Sequence, residues 1–132
     1  MLKKTITFKN LEGEDVTRDF YFNFTEAELT EMEYGTQGGY SNLLQSIIDA
    51  QDVPSIMKVF KEIVLRSYGV KSQDGIRFEK SEELSTHFMQ SDAYNVLFME
   101  LIQDSNKFAE FCNALIPNKL KEKMTEIKNV KN

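Results

Sequence analysis

Leu65–Leu101, LRSYGVKSQDGIRFEKSEELSTHFMQSDAYNVLFMEL, joins the two strongest apolar segments of the chain through one turn-rich connector. Asp74-Gly75, flanked by Val70 and by Ile76 and Phe78, predicts a tight turn with short extended arms. Ser81 then caps a helix with Glu82 and Glu83 in its first turn, where carboxylates suit the positive end of the helix dipole, and Leu84 and Phe88 face inward. Ser91 with Asp92 starts another helix after a bend near Gln90. From Ala93 to Ile102 only Asn95, Glu100 and Gln103 are polar, so this helix demands cover on nearly every side, from its own neighbours or in part from another subunit.

Upstream, Asp52 as cap and Pro54 in the first turn open a helix that the pattern carries to Tyr68 and stops at Gly69. Ile56, Val59, Phe60, Ile63, Val64 and Ser67 share its broad apolar face, opposite Lys58, Lys61, Glu62 and Arg66. Leu65 falls on the polar side, either as a scattered surface leucine or as part of an interface. Downstream, Asp104 and Ser105 cap a helix whose Phe108, Phe111, Cys112 and Leu115 form an i, i+3, i+4, i+7 stripe ended by Pro117. The segment 118–132, NKLKEKMTEIKNVKN, sets Leu120, Met124, Ile127 and Val130 on a narrow stripe among five lysines. It reads as an amphipathic Lys-rich tail, lying on the domain or serving as a docking segment.

Nearer the N-terminus, Leu2, Ile6 and Phe8, and then Val16, Phe20, Phe22 and Phe24, alternate with polar residues, predicting two strands joined by the loop Asn10–Asp15. Lys4 and Arg18 interrupt the apolar rows. An isolated hairpin is marginal in water, so its Phe-rich face must pack on helices or pair with another chain. Thr25 and Glu28 have capping-box spacing. Gly35, Gly38 and Gly39 form a flexible connector before a helix over Tyr40–Ala50. The fold expected is α+β and mostly α: a globular domain over 1–117, with the hairpin in 1–24 and a bundle of about six short helices in 25–117.

The totals narrow the function. The 132 residues carry a net charge of −5, which opposes nucleic-acid binding and favours a protein partner. No apolar run reaches the roughly 20 residues of a membrane span, and MLKKTITFKN lacks the apolar core of a signal peptide. Cys112 is the single cysteine, consistent with a cytosolic protein. His87 has no second ligand at metal spacing, and Cys112, between Phe111 and Leu115, behaves as an inert hydrophobe. The carboxylate clusters follow helix first turns and solvated faces; no catalytic, cofactor-binding or metal site is predicted.

The order of DFYFNFTEAELTEME, KEIVLRSYGVKS, QDGIRFEKSEEL, SDAYNVLFMEL and FAEFCNALIP resembles the tail assembly chaperones of long-tailed bacteriophages and related prophages, over about residues 1 to 117. The resemblance implies a non-enzymatic protein of the host bacterial cytoplasm, without cofactors. Such a protein binds the tape measure protein, keeps it soluble, assists tail-tube assembly and is absent from the mature virion. It further implies the tail-tube protein, a frameshifted longer form of the chain and self-association as partners, with no nucleic acid or membrane. The competing reading is a small helical adaptor or regulator acting on a host protein. Under the chaperone reading, Leu97, Phe98, Leu101, Phe108 and Phe111 form the core. Phe20 and Phe22 of the hairpin, Leu65, Met99, Ile102 and the tail residues Leu120, Met124 and Ile127 are the candidate interaction surface.

Overall fold

The computed structural model describes residues 1–116. The tail with Leu120, Met124 and Ile127 lies outside the described residues, as does Pro117. Strands β1 (Leu2–Lys9) and β2 (Asp15–Phe22) pair antiparallel, from Leu2 opposite Phe22 to Lys9 opposite Asp15. The loop between them is closed by Asn10, whose side-chain oxygen accepts the N–H groups of Glu12 and Glu14. Ile6 is buried on the inner face, and Lys4, in the same row, reaches Glu100 at 3.6 Å.

The hairpin is not alone. Strands β3 (Tyr68–Lys71) and β4 (Phe78–Glu79), the arms of the Asp74-Gly75 turn, extend it into a four-stranded sheet of order β1-β2-β3-β4. This corrects the expected end of the preceding helix: Tyr68 closes the last turn through its N–H to Val64 but takes ψ 139°, pairs with Phe22 and stacks on Phe88 at 4.6 Å. Sheet pairing and ring contact override the local helical pattern there.

Six helices complete the described chain: α1 (Glu26–Tyr34), α2 (Tyr40–Ala50), α3 (Val53–Ser67), α4 (Glu82–Met89), α5 (Asp92–Ile102) and α6 (Ser105–Leu115). The Thr25–Glu28 capping box forms as spaced, Ser81 accepts from the Leu84 N–H, and Asp104 accepts from those of Asn106 and Lys107. Asp52 differs, occupying the N-cap of α3 but accepting from the Ser55 hydroxyl rather than from backbone. The Gly38-Gly39 connector is also held more firmly than its composition suggests. Gly39, at φ +90°, lies against the Glu33 carboxylate, which in turn accepts from the backbone N–H and the hydroxyl of Ser41 at the start of α2.

The buried side chains form one cluster in which aromatic rings run from sheet to helices. Phe22 meets Phe88 and Phe111 edge-on, and Phe60 of α3 continues the chain to Tyr94, Phe98, Phe108 and Phe111. The whole predicted face of α3, Ile56 to Ser67, is buried. Helix α5 packs on β1, α3, α4 and α6, which accounts for its near-continuous apolar surface. The hairpin therefore folds onto the helices of its own chain.

Candidate functional site

Lys80, between β4 and α4, holds four separate parts of the chain together. Its ammonium group donates to the Asn23 carbonyl at 2.7 Å, the Glu28 carboxylate at 2.8 Å and the Arg66 carbonyl at 2.9 Å, and lies 5.0 Å from the centre of the Phe24 ring. The end of the hairpin, the first turn of α1 and the last turn of α3 thus meet at one cation. Burial works to raise the Glu28 carboxyl, but hydrogen bonds from Lys80 and from the Thr25 N–H, with the Lys80 charge, outweigh it and hold the group below its ordinary value.

Because α1 is tied in by this cation and buries only Leu29, it stands off from α3 and α4 and leaves an open groove of about 840 Å³. Phe24, Met32, Tyr40, Leu65 and Met89 supply the apolar lining. Glu28, Glu31, Glu62 and Glu82 supply carboxylates, against the two cations Arg66 and Lys80. Arg66 stands 3.5 Å from Glu62 and Lys80 is bound to Glu28, so Glu31 and Glu82 give the groove its net negative charge. Tyr40 is 5 % exposed, and its hydroxyl has no hydrogen-bond partner among the described residues. Burial, with the nearby Glu62 carboxylate, pushes that hydroxyl well above its ordinary value, so it stays neutral.

Of the predicted surface residues among those described, the groove gathers only Leu65, which is half-buried on its wall. Met99 is 43 % exposed and Ile102 half-buried, both on α5 and away from the groove lining. The hairpin residues fall differently from expectation. Phe22 is fully buried, and Phe20 is half-buried with its ring 5.1 Å from that of Phe88, so both are committed to the core of this chain. Met32 and Met89, the adaptable side chains of the groove, were not singled out from the sequence because α1 and α4 are distant along the chain; their only signal was a methionine on a short helix.

The groove offers an apolar floor and charged walls without a paired acid and base poised on a reacting centre. His87 is exposed on α4 with its Nε2 4.0 Å from Glu83. Cys112 is buried, its thiol pushed up to about 12 by burial. Among the described residues no three His, Cys, Asp or Glu side chains converge as metal ligands, and no helix is long and apolar enough to cross a membrane.

Over residues 1–131 the sequence matches the family described as phage tail assembly chaperone. The chain belongs to that family. No curated protein and no solved structure matches it. In this tail assembly chaperone, the groove between α1, α3 and α4 is therefore the feature to weigh first as a binding surface: it is concave, largely apolar and bordered by charge.

Proposed function

We propose that this chaperone binds the tape measure protein, keeps it soluble and assists assembly of the tail tube around it, acting in the host bacterial cytoplasm and remaining absent from the mature virion. Its action is binding without catalysis. The observation that carries the reading is the groove of Met32, Leu65 and Met89, whose open shape and adaptable lining suit the apolar stripe of a helical client. Weak contacts of this kind, repeated by many copies along a long client, add through avidity. Self-association would supply those copies, with Met99 and Ile102 on α5 as the contact region; the tail-tube protein and a frameshifted longer form of the chain are the further partners. Co-expression with the tape measure protein, followed by light scattering on the purified material, tests the reading. A soluble complex is expected with the native chain, whereas the Leu65→Asp/Met89→Asp variant leaves the tape measure protein in the pellet. Equal solubility with and without the chaperone would overturn it.

A further inference from the structure

The walls of the groove restrict the kind of helix it can take. Glu28, Glu31, Met32 and Gly35 put one face of α1 into it at i, i+3, i+4, i+7 spacing, about two turns and ~10 Å of helix. The α4 wall repeats this spacing from Glu82 to Met89, and Leu65 joins the two from α3. Lys80, just before α4, binds Glu28 in the first turn of α1 at 2.8 Å, so the two walls begin at the same end. A partner helix laying one apolar stripe against them matches that length and lining.

Charge narrows the choice further. Four carboxylates line the groove against two cations, and both cations are engaged, Lys80 by Glu28 and Arg66 by Glu62 at 3.5 Å. Glu31 and Glu82 remain, exposed and without an ion-pair partner among the described residues. The dipole of α4 gives Glu82 a reason of its own in the first turn, although Glu83 supplies a carboxylate there too; Glu31, beyond the first turn of α1, has no such reason. A segment with acidic flanks meets like charge on both walls, whereas one with basic flanks meets its complement.

We propose that the groove between α1, α3 and α4 selects helices by charge. Its occupant is a basic amphipathic segment of the tape measure protein: the apolar stripe lies against Met32, Leu65 and Met89, and lysine or arginine on either side of the stripe reaches Glu31 and Glu82. This rests on the reading of the groove as the client site and adds what the client segment must carry. The apolar contacts supply most of the affinity, and the two carboxylates supply specificity and a faster encounter.

Fluorescence anisotropy on the full chain tests this, with three labelled helical peptides that share one apolar stripe and carry lysine, glutamine or glutamate beside it. The lysine peptide is expected to bind about tenfold tighter than the glutamate peptide at low salt, with the glutamine peptide between them, and the difference to shrink several-fold in ~1 M salt. Glu31→Gln/Glu82→Gln is expected to level the three affinities. Glu12→Gln/Glu14→Gln, the same loss of charge on the hairpin loop outside the groove lining, leaves the order intact, with circular dichroism to establish that both variants are folded. Equal affinity of the native chain for the three peptides, or an order that survives Glu31→Gln/Glu82→Gln, would overturn the charge selection while leaving the groove as a helix site. Binding of none of the peptides, or binding indifferent to Leu65→Asp/Met89→Asp, would instead sink the reading beneath it and the proposal together. A lysine peptide that binds more weakly as the chaperone is concentrated would place a second copy in the groove, and would overturn the proposal too.

Discussion

Lys80 and Glu28 are 52 residues apart in sequence and 2.8 Å apart in space, and nothing in the connector GIRFEKSEEL marks that lysine among its charged neighbours. Its burden is set by where the sheet and two helix ends converge. Replacing it as Lys80→Met takes the ammonium donor from the Asn23 and Arg66 carbonyls and leaves the Glu28 carboxylate with the Thr25 N–H alone. The expected cost is about 1–3 kcal/mol, measured by urea unfolding. Lys80→Arg is not expected to restore it, since a planar fork cannot serve three acceptors arranged around a point. Glu28 adds a pH dependence. Its folded-state value lies below the ordinary 4.5, so its contribution is complete above that value and drains away as the pH falls through the depressed one. The native chain and Glu28→Gln should accordingly differ in urea midpoint at neutral pH and converge as the pH falls below the depressed value. Gly69 is a second position where backbone geometry decides. A Cβ there would meet the Glu79 carbonyl oxygen at 2.7 Å and the Phe78 ring, so Gly69→Ala is expected to cost about 1–3 kcal/mol by the same assay.

At the level of elements, the features written in local chemistry are the ones the sequence states directly. The Thr25–Glu28 capping box, the bounds of α2 at Tyr40 and Ala50, the buried face of α3 and the Phe108 to Leu115 stripe of α6 depend on spacing within a dozen residues, and each appears as read. Strands β3 and β4 are legible only as the short extended arms of the Asp74-Gly75 turn, without a sign that they join the hairpin. At four and two residues they are too short for alternation to show, and they exist because the end of β2 offers Phe22 and Tyr21 as partners. Phe22 illustrates the same limit for the site: its alternation marked a strand face, but not that helices of the same chain would cover it. Helix α5 shows how an ambiguous surface resolves. Ala93, Leu97 and Leu101 are buried within the chain, leaving Met99 as its exposed large apolar residue. Leu97→Ala is therefore expected to cost about 2–5 kcal/mol by thermal or urea unfolding, whereas Met99→Ala should change stability by no more than about 0.5 kcal/mol.

Across the whole molecule, the groove is assembled from α1, α3 and α4, and its apolar lining runs from Phe24 to Met89. Leu65 alone hinted at it, as an apolar residue on a polar helix face; Met32, Tyr40 and Met89 join it only once Lys80 has fixed α1 against the ends of β2 and α3. The Lys80 cation, which joins the ends of β2 and α3 to α1 and itself lines the groove, therefore links the stability of the fold to the groove proposed for client binding. The most direct measurement of the groove's role is a titration of the chaperone against a purified helical segment of the tape measure protein by isothermal calorimetry, native chain beside Leu65→Asp/Met89→Asp, with circular dichroism to establish that both are folded. The account predicts that the folded variant binds weaker by about tenfold or more, as loss of a central apolar contact entails. Equal affinity of a folded variant and the native chain would contradict it.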